Sequence, residues 1–201
     1  MKNKIGRPPL HRNGVLTTNA ERCKRYRKSQ KRKRKLLSNE WFTPPKYIEA
    51  AQKVMGRIDC DPASCEKANS VVKATKYFSI KDDGLKQAWL GNVWLNPPYQ
   101  REIMRKFANK LLQEIELGHV KSAILMVHSR CSSNPWFQQV ASVSPCFCLP
   151  AKRILCWSPY APDGFTPKGN KLGTPSGSIL FYFGDKVKRF QTVFGKLGIV
   201  R

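Results

Sequence analysis

The apolar run Val93-Trp94-Leu95 leads directly into Asn96-Pro97-Pro98-Tyr99. Beyond it, Ile103, Phe107, Leu111 and Ile115 recur every four residues up to Gly118. This spacing predicts a buried strand, a stiff turn and an amphipathic helix over 101–117. Two consecutive prolines cannot donate to a ladder and fix φ, so the strand must end here with its carbonyls turned outward. A strand–turn–helix unit of this kind belongs to an α/β sheet, and such sheets bind ligands at the carboxyl ends of their strands. The four residues also suit one task, the handling of a planar amine. The Asn96 side-chain oxygen and a backbone carbonyl can accept from one NH2 group, and the Tyr99 ring offers a face for a base.

The rest of the chain fits the same class. A short strand is expected at Arg57–Asp61, stopped by Pro62, and another at Val120–Val127, whose almost unbroken apolarity marks burial on both faces. A short helix should start at Asn134-Pro135, and strands are expected at Cys146–Leu149, Arg153–Trp157 and Ser178–Phe183, with a last helix over Asp185–Gly195. Residues 71–91 read as irregular apart from a helical turn at Gly84–Trp89. The alternation of strands and helices predicts a doubly wound α/β sheet over 39–201. About 35 residues separate Asp61 from Asn96, so the units between them must be compressed.

Charge divides the chain. The protein has 201 residues and a net charge of +24, and residues 1–37 hold 14 Lys and Arg against a single acid, Glu21. A field of this size favours a polyanionic partner. Such a partner is nucleic acid or an acidic membrane surface, and residues 1–38 read as a separate nucleic-acid-binding arm, partly helical or disordered, with Arg7, Arg22, Arg25, Arg27, Lys28, Lys31 and Arg32 as phosphate contacts. Gly6-Arg7-Pro8-Pro9 is extended and basic, a form suited to a narrow minor groove. Thr18-Asn19-Ala20-Glu21 has the capping-box pattern, which predicts a helix from about Ala20 to Leu37 with almost no apolar stripe. Residues 158–177 carry four prolines together with Lys168 and Lys171, and read as a mobile loop facing nucleic acid.

No apolar run is long enough to span a bilayer, and the first residues lack a secretory core. Seven cysteines without a Cys-x-x-Cys pair point to free thiols in a reducing cytoplasm rather than to disulfides or zinc. No metal is expected, and the oligomeric state is not legible.

Asp59 and Asp61, at the end of the first strand, can accept from a ribose hydroxyl or hold a cationic amino group. Trp41 offers an apolar wall, and Thr43 and Pro44 can fold across the same lip. Together with Asn96–Tyr99 these residues describe a cofactor pocket beside an amine pocket.

At this point the chain resembles the phage-type DNA N6-adenine methyltransferases. The resemblance covers roughly residues 40–185. It rests on Trp41-x-Thr43-Pro44, Asp59-x-Asp61-Pro62-Ala63-Ser64, Asn69, Asp83-Gly84-Leu85 with Trp89, Val93 to Tyr99, Arg153-Ile154 and Gly177-Ser178. It implies a Rossmann-like methyltransferase fold, S-adenosylmethionine as methyl donor and adenine in double-stranded DNA as acceptor, in a bacterial or phage-infected cell. It further implies Asn96, Pro97, Pro98 and Tyr99 at the target amine. Asp59 and Asp61, with Pro62, Ala63, Trp41, Thr43 and Pro44, would lie at the cofactor. Pro62-Ala63-Ser64-Cys65 stands where most methyltransferases carry a glycine-rich loop. On this reading a flipped adenine stacks on Tyr99, with Trp157 and Phe165 as further candidates. Two alternatives remain open: another amine acceptor, such as cytosine N4 or RNA adenine, and a non-catalytic DNA-binding protein on the same fold.

Overall fold

The computed structural model describes residues 18–27, 41–156 and 177–201. The chain divides between Ser38 and Asn39 into two units.

In the first unit, residues 19–27 form a helix, α1. The capping box forms in both directions. The Glu21 N–H donates to Thr18 Oγ1 at 3.2 Å, and the Thr18 N–H donates to Glu21 Oε2 at 3.0 Å. Every residue of α1 is exposed, as its lack of an apolar stripe requires. The expected continuation to Leu37 lies outside the described residues.

The second unit is built on a seven-stranded sheet. Its elements are α2 (Pro45–Met55), β1 (Cys60–Asp61), α3 (Glu66–Val72), β2 (Lys76–Tyr77), β3 (Gly91–Leu95), α4 (Arg101–Glu116), β4 (Val120–His128), α5 (Pro135–Val143), β5 (Cys146–Pro150), β6 (Ser178–Phe183), α6 (Val187–Phe194) and β7 (Gly198–Val200). The strand order is β2-β1-β3-β4-β6-β5-β7. The first four strands of that order are parallel, as the Rossmann-like expectation requires. The sheet as a whole is mixed, because β6 runs antiparallel between β4 and β5, and β7 runs antiparallel along β5.

The two-residue period of the strands sorts the core onto two faces. Trp94, Ile124, Met126, Leu180 and Tyr182 pack with Ile48 and Val54 of α2 and Phe190 and Phe194 of α6. Val93, Leu95, Leu125, Val127 and Phe181 pack on the other face with Phe107 and Leu111 of α4 and Phe137 of α5. Residues 122–128 of β4 are buried without a break, which explains why its sequence lacks alternation.

One expected strand is absent. Residues 153–156 keep the alternation, with Ile154 and Cys156 buried and Arg153 and Leu155 exposed, yet they join no ladder. Both sides of β5 are already taken, by β6 and by β7, so this segment closes the core as a coil. The sequence reading left α2, α3 and β7 unassigned, and β2 corrects the reading of residues 71–91 as irregular, since Lys76 and Tyr77 pair with Cys60 and Asp61. Arg57–Asp61 keeps only Cys60 and Asp61 as formal strand, although the Asp59 N–H still donates to the Asn92 carbonyl at 2.8 Å.

Candidate active site

The β3 ladder ends at Leu95, paired with Leu125, and Asn96 leaves the sheet at its carboxyl edge. Asn96 shares the parity of Trp94, which points it toward the face covered by α2. There its amide nitrogen is fully engaged. Nδ2 donates to the Trp41 carbonyl at 2.7 Å and to Thr43 Oγ1 at 3.2 Å. These two bonds fix which end of the amide is the oxygen. Asn96 Oδ1 is buried and has no hydrogen-bond partner. Leaving such an acceptor unpaired costs about 1–3 kcal/mol, so an amide held in this way is set to receive a donor.

The tight turn continues with Pro97 buried and the Gln100 N–H donating to the Pro98 carbonyl at 2.7 Å. Tyr99 is partly buried against the core, and its hydroxyl end is buried beside the Cys156 thiol without a well-directed bond to it. Burial drives the phenol well above its ordinary range, so it stays neutral. One ring face lies against His128, with centroids 3.9 Å apart and planes at 44°.

His128 is the last residue of β4 and is 8 % exposed. Burial, then the charges of Arg130 and Arg153, lowers its pKa to about 4. The imidazole is therefore neutral near pH 7. The sequence reading passed over His128, although a polar residue closing the apolar run Val120–Val127 at the ligand-binding edge was a usable signal. It also passed over Arg130 and Arg101, and used Arg153 only as part of the family resemblance. Arg130 and Arg153 are both exposed and close enough to His128 to act on its charge, and the Arg101 guanidinium donates to Asn134 Oδ1 at 3.3 Å. These three give the mouth of the site a cationic rim.

The structure separates the two carboxylates that the sequence places together. Asp61 closes β1 at the same edge as Asn96, one strand away, or about 4.8 Å in the direction of the sheet. It is 3 % exposed, and burial raises its pKa to about 7. The opposing contributions are small: the Ala63 N–H donates to Oδ1 at 3.2 Å, and the Ser64 hydroxyl faces the carboxyl without a well-directed bond. Asp59 sits at the other end of the strands. Its Oδ2 accepts from the Asn92 N–H at 2.8 Å and its Oδ1 from Arg57 Nε at 2.5 Å. Asn92 precedes Asn96 by four residues, roughly 13 Å along β3. Asp59 thus ties the start of β3 to β1, and Gly91 next to it, at φ +76, has no room for a Cβ against the carboxylate.

Trp41 and Thr43 touch Asn96 itself, and Pro44 is the residue that caps α2. Pro62 and Ala63 form the lip after Asp61. That lip is held from behind by the Asp83-Gly84-Leu85 turn, since a Cβ on Gly84 would fall 1.9 Å from the Pro62 carbonyl oxygen. The Trp89 indole N–H donates to the Gly84 carbonyl at 2.8 Å and locks the turn. Asn69 closes α3 with paired bonds to Ala74, at 2.8 and 3.2 Å.

Among the described residues, five buried side-chain polar atoms lack a partner: Ser64 Oγ, Asn96 Oδ1, Tyr99 Oη, Trp136 Nε1 and Ser178 Oγ. All belong to segments at the carboxyl edge of the parallel strands. Ser64 follows β1, Asn96 and Tyr99 follow β3, Trp136 opens the helix after β4, and Ser178 pairs with His128. Unsatisfied polar atoms gathered along one edge fit a polar ligand there. A buried carboxyl with few donors, beside an orphan hydroxyl, fits a cationic amino group. Among the described residues no cluster of three or more His, Cys, Asp or Glu could hold a metal, no helix is long and apolar enough to cross a membrane, and all seven cysteines are free thiols.

Of the expected nucleic-acid contacts, Arg22, Arg25 and Arg27 are exposed on α1. Arg7, Lys28, Lys31, Arg32, Lys168 and Lys171 lie outside the described residues, as do Trp157 and Phe165.

Residues 29–158 match the family model described as DNA N-6-adenine-methyltransferase (Dam). The chain belongs to this family. The matched span includes β1, β3, β4 and the Asn96–Tyr99 turn. A relative in the family, the DNA N-6-adenine-methyltransferase of Escherichia phage T1, is 32% identical over 101 residues, which is 49% of this chain and 39% of the phage protein. The chain therefore aligns with well under half the length of that relative. Among solved structures, the METTL16 MTase domain is similar at 11% identity over 89% of this chain and 86% of that one, with a TM-score of 0.36, too low to add to the strand order itself. For this member of the family, the α/β sheet with its antiparallel β6 is the frame, and the edge from Asp61 to His128 is the candidate active site.

Proposed function

We propose that this chain transfers the methyl group of S-adenosylmethionine to the N6 amine of adenine at a specific sequence in double-stranded DNA. The single observation that carries the reading is the Asn96 amide. Its nitrogen is spent on Trp41 and Thr43, and its buried oxygen has nothing to accept from. An exocyclic NH2 group supplies the missing donor.

The adenine must leave the base stack, at a cost of a few kcal/mol, to reach an edge this deep. Tyr99 receives it by stacking. Asn96 Oδ1 and the Pro97 carbonyl accept the two N6 hydrogens, which draws the nitrogen toward pyramidal geometry and exposes its lone pair. S-adenosylmethionine, when bound, supplies an already activated methyl on a sulfonium. The chain's contribution is accordingly position more than acid–base chemistry. Asp61 and Ser64 hold the cofactor's amino end, beside the lip Pro62-Ala63. Arg101, Arg130 and Arg153 meet the phosphates around the extruded base, and the basic arm binds phosphates as a separate unit.

The test is incubation of the purified protein with methyl-labelled S-adenosylmethionine and duplex DNA, followed by digestion to nucleosides. The reading expects label in N6-methyladenosine alone. Label in N4-methylcytosine, or methylation of RNA in preference to DNA, contradicts it, as does DNA binding without any cofactor binding.

A further inference from the structure

His128 has no role in the chemistry described above, yet it makes the closest ring contact in the site. Its backbone is fixed by the sheet, in register with Ser178 of β6, while Tyr99 sits on the turn after β3. The Tyr99 ring is thus restrained at two points. Its hydroxyl end is buried beside Cys156, and one face lies 3.9 Å, centroid to centroid, from the imidazole.

We propose that His128 is a positioning residue that backs the Tyr99 ring and sets the plane on which the flipped adenine stacks, acting through its ring and not through a proton. This inference rests on the reading of Tyr99 as the stacking platform. A Tyr on a turn has two free side-chain torsions, and stacking strength depends on ring offset and tilt. A second ring anchored in the sheet removes that freedom before the base arrives, so the ordering cost is already met. His128 lies against one face of this partly buried ring, and the base would stack on the opposite face.

Burial is the largest influence on the charge of the imidazole, and among the described residues Arg130, two residues along, and Arg153, from the coil after β5, also oppose protonation. A neutral imidazole can hold this close, tilted contact with an aromatic neighbour without drawing water into the site. Methylation of the amine does release one proton, so proton acceptance by the imidazole is the rival role, and it predicts different variants to be active.

The experiment compares wild type, His128→Ala, His128→Gln and His128→Phe on duplex DNA with saturating S-adenosylmethionine. It reads kcat, KM for DNA and cofactor affinity between pH 5.5 and 8.5. His128→Ala and His128→Gln should lose about tenfold in kcat with cofactor affinity unchanged. His128→Phe should recover to within about threefold of wild type at every pH, since it restores a ring and nothing else. His128→Gln nearly conserves volume, and so decides the matter if the Ala variant leaves a cavity that prevents folding. A folded His128→Phe protein as slow as His128→Gln overturns the proposal, and so does a His128→Ala or His128→Gln protein with wild-type kcat. Wild-type protein that methylates no adenine sinks the functional reading and this role with it. An active wild type with an unrescued Phe variant sinks only the role of His128.

Discussion

The Asn96 side-chain nitrogen donates to the Trp41 carbonyl at 2.7 Å across 55 residues of sequence, and that bond orients the acceptor oxygen of the site. Thr43 Oγ1 shares the same nitrogen at 3.2 Å. Thr43→Val removes one of these two restraints while keeping the shape of the side chain. We expect kcat to fall about three- to tenfold with little change in KM for either substrate, because one neutral hydrogen bond contributes about 1 kcal/mol. Steady-state kinetics check this, and an unchanged kcat would show that the Trp41 carbonyl alone fixes the amide.

If Asp61 holds the cofactor's amino group as proposed, it couples cofactor binding to pH. Its folded pKa, about 7, lies above the ordinary 3.8. The folded protein therefore binds more protons than the unfolded chain between those values, and stability from this group is full below pH 3.8 and lost as pH rises through 7. The magnitude is on the order of a few kcal/mol. His128 acts in the opposite sense, with its contribution present above pH 6.5 and lost as pH falls through about 4. Asp61→Asn should thus stabilise the ligand-free protein progressively from pH 4 to pH 7 relative to wild type, and level off above. Denaturant titrations at a series of pH values give the difference directly. In wild type, S-adenosylmethionine affinity should rise as pH passes 7, with proton release detectable by calorimetry in buffers of different ionisation enthalpy. The Asn variant should lose both the affinity and the pH dependence.

Gly84 predicts a structural failure at a distance from the chemistry. A Cβ there meets the Pro62 carbonyl oxygen at 1.9 Å, and that oxygen is backbone that cannot swing aside. Gly84→Ala should lower the thermal midpoint by several degrees, in line with a cost of roughly 1–3 kcal/mol, and weaken cofactor binding more than tenfold by displacing the lip. A variant of wild-type stability that binds the cofactor normally would mean that the Asp83–Leu85 turn does not hold the lip.

The cationic rim can be counted by salt. If Arg130 and Arg153 each contact a phosphate, replacing either by Ala should weaken DNA binding uniformly across sequences and reduce the slope of log K against log salt by about 1. A change that depends on the base sequence instead would make them readers of the site.

The site was more legible in the sequence than the sheet was. Asn96-Pro97-Pro98-Tyr99 declares itself because two prolines must end a strand, and the β3–α4 unit follows within a residue of its expected bounds. α1 likewise begins where Thr18 and Glu21 place its cap. Tertiary geometry supplied what local patterns could not. Asp59 and Asp61 are two residues apart, yet strand rise and pairing send one to the amino edge and the other to the carboxyl edge. The alternation at Arg153–Cys156 marks burial without pairing, because β7 had already taken the free side of β5. The helix α2 was readable in principle, with Pro45 in its first turn, Tyr47, Ile48, Ala51 and Val54 on one face, and Gly56 at φ +95 closing it. Strands of two or three residues, such as β2 and β7, leave no periodic trace at all.

The central claim is that the Asn96 oxygen receives the reacting amine. Single-turnover methyl transfer to duplex DNA by Asn96→Ala, with cofactor affinity measured on the same protein, tests it most directly. We predict a transfer rate at least about 100-fold below wild type, with cofactor affinity changed by less than about threefold. Transfer at the wild-type rate would contradict the account.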